Sequence, residues 1–473
     1  MTDFKLLINW RLTPVASSMD VLNPATEEVV AACPTASEDQ LNEAVAAAKA
    51  AFPAWSKRPL KERADLLNKL ADAMFARQEE FARLLTQEQG KPLPMAMWEV
   101  GGTAAGLQYF ASLDLPDKVL KDDAETKIIL QHAPLGVVAA ITPWNFPLIL
   151  LSIKVGPGLL AGNTMICKPA PTTPLTTLLF GELCAEILPP GVINVIADKN
   201  DLGGAITAHP DIAKVAFTGS TATGKKVMAS AAGSLKRITL ELGGNDAAIV
   251  LDGVDPKEVA PKIFGGATIN SGQVCLAIKR VYAPQSMYDE LCDELAKLAK
   301  EAVVGDGLEQ GTQLGPIQNK MQFEKVKEYI EVGRKDGKII AGGEAHEGKG
   351  YFVAPTIVRD IPHDSRLVKE EQFGPVLPVM AYTDLDDAIA KANDSEYGLG
   401  GTVWTNDLDR GQEVASQILS GTIWVNKHLD LPFDVPFGGA KQSGLGVEYG
   451  QEGLEEFTQQ KTINMAKAPA PAA

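Results

Sequence analysis

The chain has 473 residues, 45% hydrophobic and 22% charged, the balance of a globular protein with room for about three domains. Its 60 Asp and Glu outnumber 44 Lys and Arg, and the net charge of −16 argues against a nucleic-acid partner. The longest apolar stretch, "PLILLSIKV", is broken by Lys154 and is too short for a membrane span, and five cysteines in no paired spacing fit a reducing compartment.

The opening "MTDFKLLINWRLTP" lacks the basic and apolar regions of a signal peptide, so a cytoplasmic location is expected. Residues 38 to 90 read as two amphipathic scaffold helices. The first opens on Ser37 with an acidic first turn; the second sets Leu66, Leu67, Leu70, Met74 and Phe75 at the spacing of a buried face. Residues 114 to 136 alternate like an exposed hairpin, and the tail "EEFTQQKTINM" offers it a further strand. Free strand edges of this kind seek partners, here in another subunit.

From 134 onward the runs "GVVAAIT", "TMICKPA", "GVINVIA", "KVAFTGS" and "RITLELGG" are each followed by a turn and a helical pattern. That alternation predicts an α/β fold with a parallel sheet wound by right-handed crossovers. A second α/β segment covers about 244 to 444. In it, the helix-like "KEVAPKIFGGATI" and the strand-like "AIKRVYAP" flank one cysteine, Cys275. "SMYDELCDELAKLAKEAV" offers Ser286 as an N-cap, an apolar stripe of Tyr288, Leu291, Leu295 and Leu298, and Cys292 as a core residue beside it. The terminal "AKAPAPAA" is low-complexity and predicted to fray.

Cys275 follows Ser271, Gly272 and Gln273, residues that suit a tight turn. One reading is an inert buried thiol. The other is a nucleophile, which needs a base, an oxyanion donor and a cofactor site. "ITPWNFP" holds Asn145 between Trp144 and Phe146 in a turn stiffened by two prolines, a rigid amide able to face an oxyanion. "LELGGND" places Glu241 at a strand end, where it is either a general base or simply solvated. "FTGSTATG" is a strand, a glycine turn and a helix start, the layout that receives a pyrophosphate. "CKPAPTTP" ends another strand with Lys168, a residue for an adenosine ribose or phosphate, or plain surface.

These segments, with "NSGQVC", "EEQFGPV" and "PFGGAKQSGLG", occur in an order and spacing that resemble the NAD(P)-dependent aldehyde dehydrogenase superfamily over essentially the whole chain. The resemblance implies a Rossmann-like cofactor domain at 1–111 and 134–243, a catalytic domain at 244–444, and a bridging element at 112–133 and 445–473 that builds homodimers or homotetramers. It implies Cys275 as nucleophile, Asn145 with the Cys275 backbone N–H as oxyanion site, Glu241 as base, and Glu448 of "GVEYG" as proton relay, with Lys168 counted in the catalytic group and at the ribose. The cofactor site would draw on Thr142, Trp144, Lys168, Ala170, Pro171, Gly219, Ser220, Gly224, Leu242, Gly243, Gln322, Glu371 and Phe373. The retained Glu241 implies a free carboxylic acid as product, since members that pass the acyl group to coenzyme A typically lack that base.

Many NAD-preferring members carry a glutamate where this chain has Pro171, so use of both NAD and NADP is expected. The substrate positions implied are Phe146, Leu150, Ile153, Val274, Leu276, Leu431 and Phe437, all apolar. A second carboxylate would be buried there unpaired, which favours medium-chain aliphatic or aromatic aldehydes over semialdehydes. Asp430 and Asp434 keep a cationic aminoaldehyde open, and His428 has no neighbours at metal spacing. Two other classes were weighed. A thiol hydrolase lacks a histidine in a catalytic setting, and a non-catalytic family member would be expected to lose Cys275, Glu241 or Asn145, all present.

Overall fold

The computed structural model describes residues 3–467 except 14 and 16, so most of the alanine-proline tail lies outside the described residues. The alternating runs build an eight-stranded sheet in the order Arg11–Thr13, Leu6–Ile8, Ile193–Val195, Thr164–Lys168, Val137–Ile141, Ile212–Thr218, Arg237–Glu241, Gly444–Leu445. The five strands from Ile193–Val195 to Arg237–Glu241 are parallel. Every residue of Val137–Ile141 and Thr164–Lys168 is buried, which explains why these runs are apolar throughout instead of alternating. Strand order reverses between Val137–Ile141 and Ile212–Thr218. That switch point opens a crevice at the carboxyl ends of both strands, where doubly wound sheets bind nucleotides.

The segment after 244 forms a second, seven-stranded sheet: Lys338–Ala341, Thr356–Arg359, Val376–Tyr382, Ile278–Pro284, Asp246–Val250, Gly400–Trp404, Thr422–Val425. All its pairings are parallel except the first. The predicted hairpin is present as Lys118–Asp122 and Thr126–Pro134, and Thr458–Ala466 adds antiparallel along nine residues of the second strand. Lys118–Asp122 is exposed along its whole length. Among the described residues no helix is long and apolar enough to cross a membrane.

Three expectations are corrected. Residues 38 to 90 form three helices, Glu38–Ser56, Leu60–Ala76 and Gln78–Gln89, the last two separated at Arg77, whose φ of −112° and ψ of 20° leave the helix. Phe75 is exposed, since the buried stripe of its helix runs through Leu67, Leu70, Ala71 and Met74. Ser286 caps nothing: the helix Tyr288–Glu301 has Met287 at its N-cap. Ser37 does cap its helix, in a reciprocal box with Gln40.

Asn163, fully buried, ties the bridging element to the first sheet. Its carbonyl accepts from Leu135 and Gly136 N–H at 2.6 and 3.0 Å, and its amide donates to Gly158 and Phe457 carbonyls at 3.2 and 2.8 Å. Asn163→Ala strands these buried groups and should lower stability by about 3 kcal/mol, read from urea unfolding midpoints at constant slope.

Candidate active site

Asn145 follows the strand Val137–Ile141 at the switch point and is buried. Its Nδ2 donates to the Gln273 carbonyl at 2.9 Å, so the amide of the first sheet meets the turn that carries Cys275. Its own carbonyl accepts from Lys91 Nζ at 2.8 Å and Asn270 Nδ2 at 3.1 Å.

Cys275 is reached through a left-handed turn: Asn270, Ser271 and Gly272 have φ of 49°, 56° and 73°. Such backbone is strained for Asn and Ser and persists because its surroundings hold it. Ser271 Oγ donates to the Gly315 carbonyl at 2.7 Å, Gln273 Nε2 donates to the Asn270 carbonyl at 2.9 Å, and Gln273 Oε1 accepts from Gln318 N–H at 2.8 Å. Gly272 is required twice over, by its φ and because a Cβ would sit 2.5 Å from the Gly374 carbonyl. Of the five free cysteines, four are buried and Cys275 alone is half-buried. Burial pushes its thiol up to about 12; Lys279 opposes the shift, while Glu371, Asp246 and Glu241 add to it. At rest it is a neutral thiol that needs a base.

Glu241 ends the strand Arg237–Glu241, is 4% exposed, and neither carboxylate oxygen has a hydrogen-bond partner. Burial raises its pKa well above the ordinary carboxylate value, Glu448 raises it further, and Lys154 pulls it down. Lys154 and Glu448 form a buried ion pair, and Lys154 Nζ donates to Thr218 Oγ1 at 2.7 Å. Sequence reasoning named Glu241 and Glu448 but missed Lys154. The signal was present as a lone lysine in an apolar helical run. Lys168, by contrast, spends its ammonium on Asp198 at 2.6 Å and on the Pro169 carbonyl at 3.3 Å, away from the Cys275 group.

The crevice fits a dinucleotide. Ser220 is the N-cap of Thr221–Ala232, its hydroxyl accepting from Thr223 N–H at 3.3 Å, so the helix start faces the switch point after Gly219. Gly224 packs on Leu242, where a Cβ would lie 2.4 Å from Leu242 Cδ2. Gly243 N–H donates to Thr221 Oγ1 at 3.3 Å, and Glu371 Oε1 accepts from Gly244 N–H at 2.9 Å. The Thr142 hydroxyl is buried without a partner. Trp144 meets Phe373 edge-on at 5.3 Å. Gln322 spends its amide on the Gln372 and Phe373 carbonyls at 2.9 and 3.0 Å, so it pins the loop of Glu371 and Phe373 instead of facing a ligand. Ala170 and Pro171 follow Lys168 at the adjacent strand end.

All seven predicted substrate positions share one apolar cluster with Cys275: Phe146, Leu150, Ile153, Val274, Leu276, Leu431 and Phe437. The same cluster contains Tyr109, Phe110, Trp424, Phe433 and Tyr449, which sequence reasoning missed. Tyr109 stacks on Phe433 with centroids 6.0 Å apart, and Phe433 lies 5.6 Å from Tyr449. Asp430 is paired with Lys427 at 2.5 Å. His428 Nε2 lies 2.8 Å from the Leu276 carbonyl, and burial pushes its pKa down to about 4.

A sequence model of the aldehyde dehydrogenase family matches residues 10–463. The chain belongs to the aldehyde dehydrogenase family. It is an oxidoreductase that uses NAD or NADP. It is 40% identical over 468 residues to a phenylacetaldehyde dehydrogenase of Pseudomonas fluorescens, covering 95% of this chain and 93% of that one. It is 38% identical over 470 residues to the chloroplastic betaine aldehyde dehydrogenase of Beta vulgaris, covering 96% and 94%. The NAD+ complex of an aldehyde dehydrogenase from Bacillus cereus superposes with a TM-score of 0.96 at 38% identity, covering 98% and 97%.

In this aldehyde dehydrogenase the two neighbours of Glu241 act on it with opposite sign. Lys154→Met should move ionisation of Glu241 to higher pH and Glu448→Gln to lower pH. Infrared difference titration of the carboxylate stretch, referenced to Glu241→Gln, reads both shifts.

Proposed function

We propose that this aldehyde dehydrogenase oxidises apolar aldehydes, medium-chain aliphatic or aromatic, to free carboxylic acids through a thioester on Cys275. The observation that carries the reading is the unpartnered Glu241 carboxylate, held buried near a thiol that needs a base, inside an apolar cluster. Glu241 takes the Cys275 proton, and the thiolate forms a C–S bond to the aldehyde carbon as the carbonyl π pair moves to oxygen. Asn145 Nδ2 and the Cys275 backbone N–H hold that oxyanion. Bound NAD or NADP would supply the acceptor for the aldehyde hydrogen, which leaves as hydride when the carbonyl re-forms. Glu241 then takes a proton from water, whose oxygen attacks the thioester and releases acid and thiol. The Lys154–Glu448 pair passes the proton outward.

Trp144, Ala170, Gly219, Ser220 and Phe373 would line the bound dinucleotide, with Lys168 at the ribose and Glu371 at its nicotinamide end. Pro171 leaves that loop without a carboxylate to repel a 2′-phosphate, which supports NADP alongside NAD. The Lys427–Asp430 pair neutralises one of the two acids at the predicted mouth, which weakens the aminoaldehyde alternative. The exposed hairpin edge supports a homodimer or homotetramer, and the absence of paired cysteine spacing supports a cytoplasmic enzyme.

Reduced-cofactor absorbance with a panel of aldehydes tests the reading. Octanal and benzaldehyde should exceed succinate semialdehyde by about 100-fold in kcat/KM; dominance of the semialdehyde would contradict it. Cys275→Ala should lower kcat by at least about 1,000-fold, and near-normal turnover would remove Cys275 from the mechanism. Pro171→Glu should raise the NAD over NADP preference by about 10-fold; an unchanged ratio would place discrimination elsewhere.

A further inference from the structure

We infer that the buried Lys91–Glu99 ion pair is the positioning device for the Asn145 amide, an inference that rests on the reading of Asn145 as oxyanion donor. Lys91 stands between the helices Gln78–Gln89 and Leu93–Ala111, and Glu99 lies on the second. Both side chains are fully buried. Lys91 Nζ donates to the Asn145 carbonyl at 2.8 Å and lies 3.7 Å from the centre of the Phe146 ring. Glu99 gives one carboxylate oxygen to Lys91. Its other oxygen accepts from Leu148 N–H at 3.0 Å and Ile149 N–H at 3.4 Å, the free donors at the start of the helix Ile149–Leu160. The pair therefore grips the segment 145–149 from both sides of Asn145.

The same Asn145 carbonyl also accepts from Asn270 Nδ2 at 3.1 Å, and Asn270 begins the strained turn that presents Cys275. Asn270 thus keeps its own hold on that oxygen from the Cys275 side, while Lys91 and Glu99 hold the segment that carries the Asn145 amide. Two buried unit charges cost several kcal/mol in desolvation, and well-packed apolar residues often do as well or better for stability. Stability alone leaves the pair without a purpose. Fixing a 2.9 Å amide contact at the reacting centre gives it one.

A double-mutant cycle between Lys91 and Asn145 tests this in the presence of NAD. Lys91→Met should lower kcat/KM for an apolar aldehyde by about 10- to 100-fold, mainly in kcat, as misplacement of a reacting geometry does. Alkylation of Cys275 by iodoacetamide, which forms no oxyanion, should keep its wild-type rate. In an Asn145→Ala background the same Lys91 substitution should cost nothing further. The paired Lys91→Met, Glu99→Gln variant, which leaves no uncompensated buried charge, should repeat the pattern and stands in if Lys91→Met fails to fold. Equal losses in both backgrounds, or a parallel loss of alkylation, would overturn the assignment of Lys91. Wild-type turnover by Asn145→Ala alone would instead overturn the reading of Asn145, and the inference with it.

Discussion

The site depends on the burial of the Glu241 carboxyl beside the Lys154–Glu448 ion pair. That pair joins the helix Ile149–Leu160 to the segment just before the last strand, with Thr218 at the switch point taking the third contact. Glu241, buried beside it, is caught between one charge that favours ionisation and one that opposes it. Burial at 4% exposure is the largest cause of its raised pKa, because it disfavours the charged form. Lys154 within reach pulls the carboxyl back toward ionisation, but Glu448 pushes it further up, so Glu241 stays well above the ordinary carboxylate range and holds its proton tightly.

The proposed chemistry draws on groups brought together where two sheets meet. The first sheet supplies Asn145 and Glu241 from the carboxyl ends of parallel strands, and the left-handed turn that leads into the second supplies Cys275. The hydrogen bond from Asn145 Nδ2 to the Gln273 carbonyl crosses that joint. Any change in the relative position of the two parts is therefore felt as a change in the distance between Asn145, the proposed oxyanion donor, and Cys275, the proposed nucleophile. This is why strain at Asn270 and Ser271 is tolerated there, and why so many side chains, Gln273, Gln318 and Ser271 among them, are spent on backbone carbonyls and amides around it.

The parts of the site that sit at strand ends were legible in the sequence, because proline and glycine punctuate them: Asn145 in "ITPWNFP", Glu241 before two glycines, Cys275 after Gly272. The residues that came from helices were not. Glu99, Lys154, Tyr109 and Phe110 belong to segments whose periodicity identifies only a buried face, and Lys91 sits in the short link between two such helices. Nothing in a helical repeat says whether its buried side meets a core or a substrate. The split of the second scaffold helix at Arg77 escaped for a related reason, since no glycine or proline marks it. The parallel α/β arrangement, the hairpin and the added terminal strand followed from alternation, whereas the order of strands in each sheet did not.

The claim at the centre of this account is that oxidation passes through an acyl thioester on Cys275. Acid-quenched enzyme from the first turnover with NAD and octanal, digested and weighed by mass spectrometry, tests it directly. An octanoyl group on the peptide containing Cys275 should rise before free octanoate and decay as it forms. Octanoate appearing while that peptide stays unmodified at every quench time would contradict it.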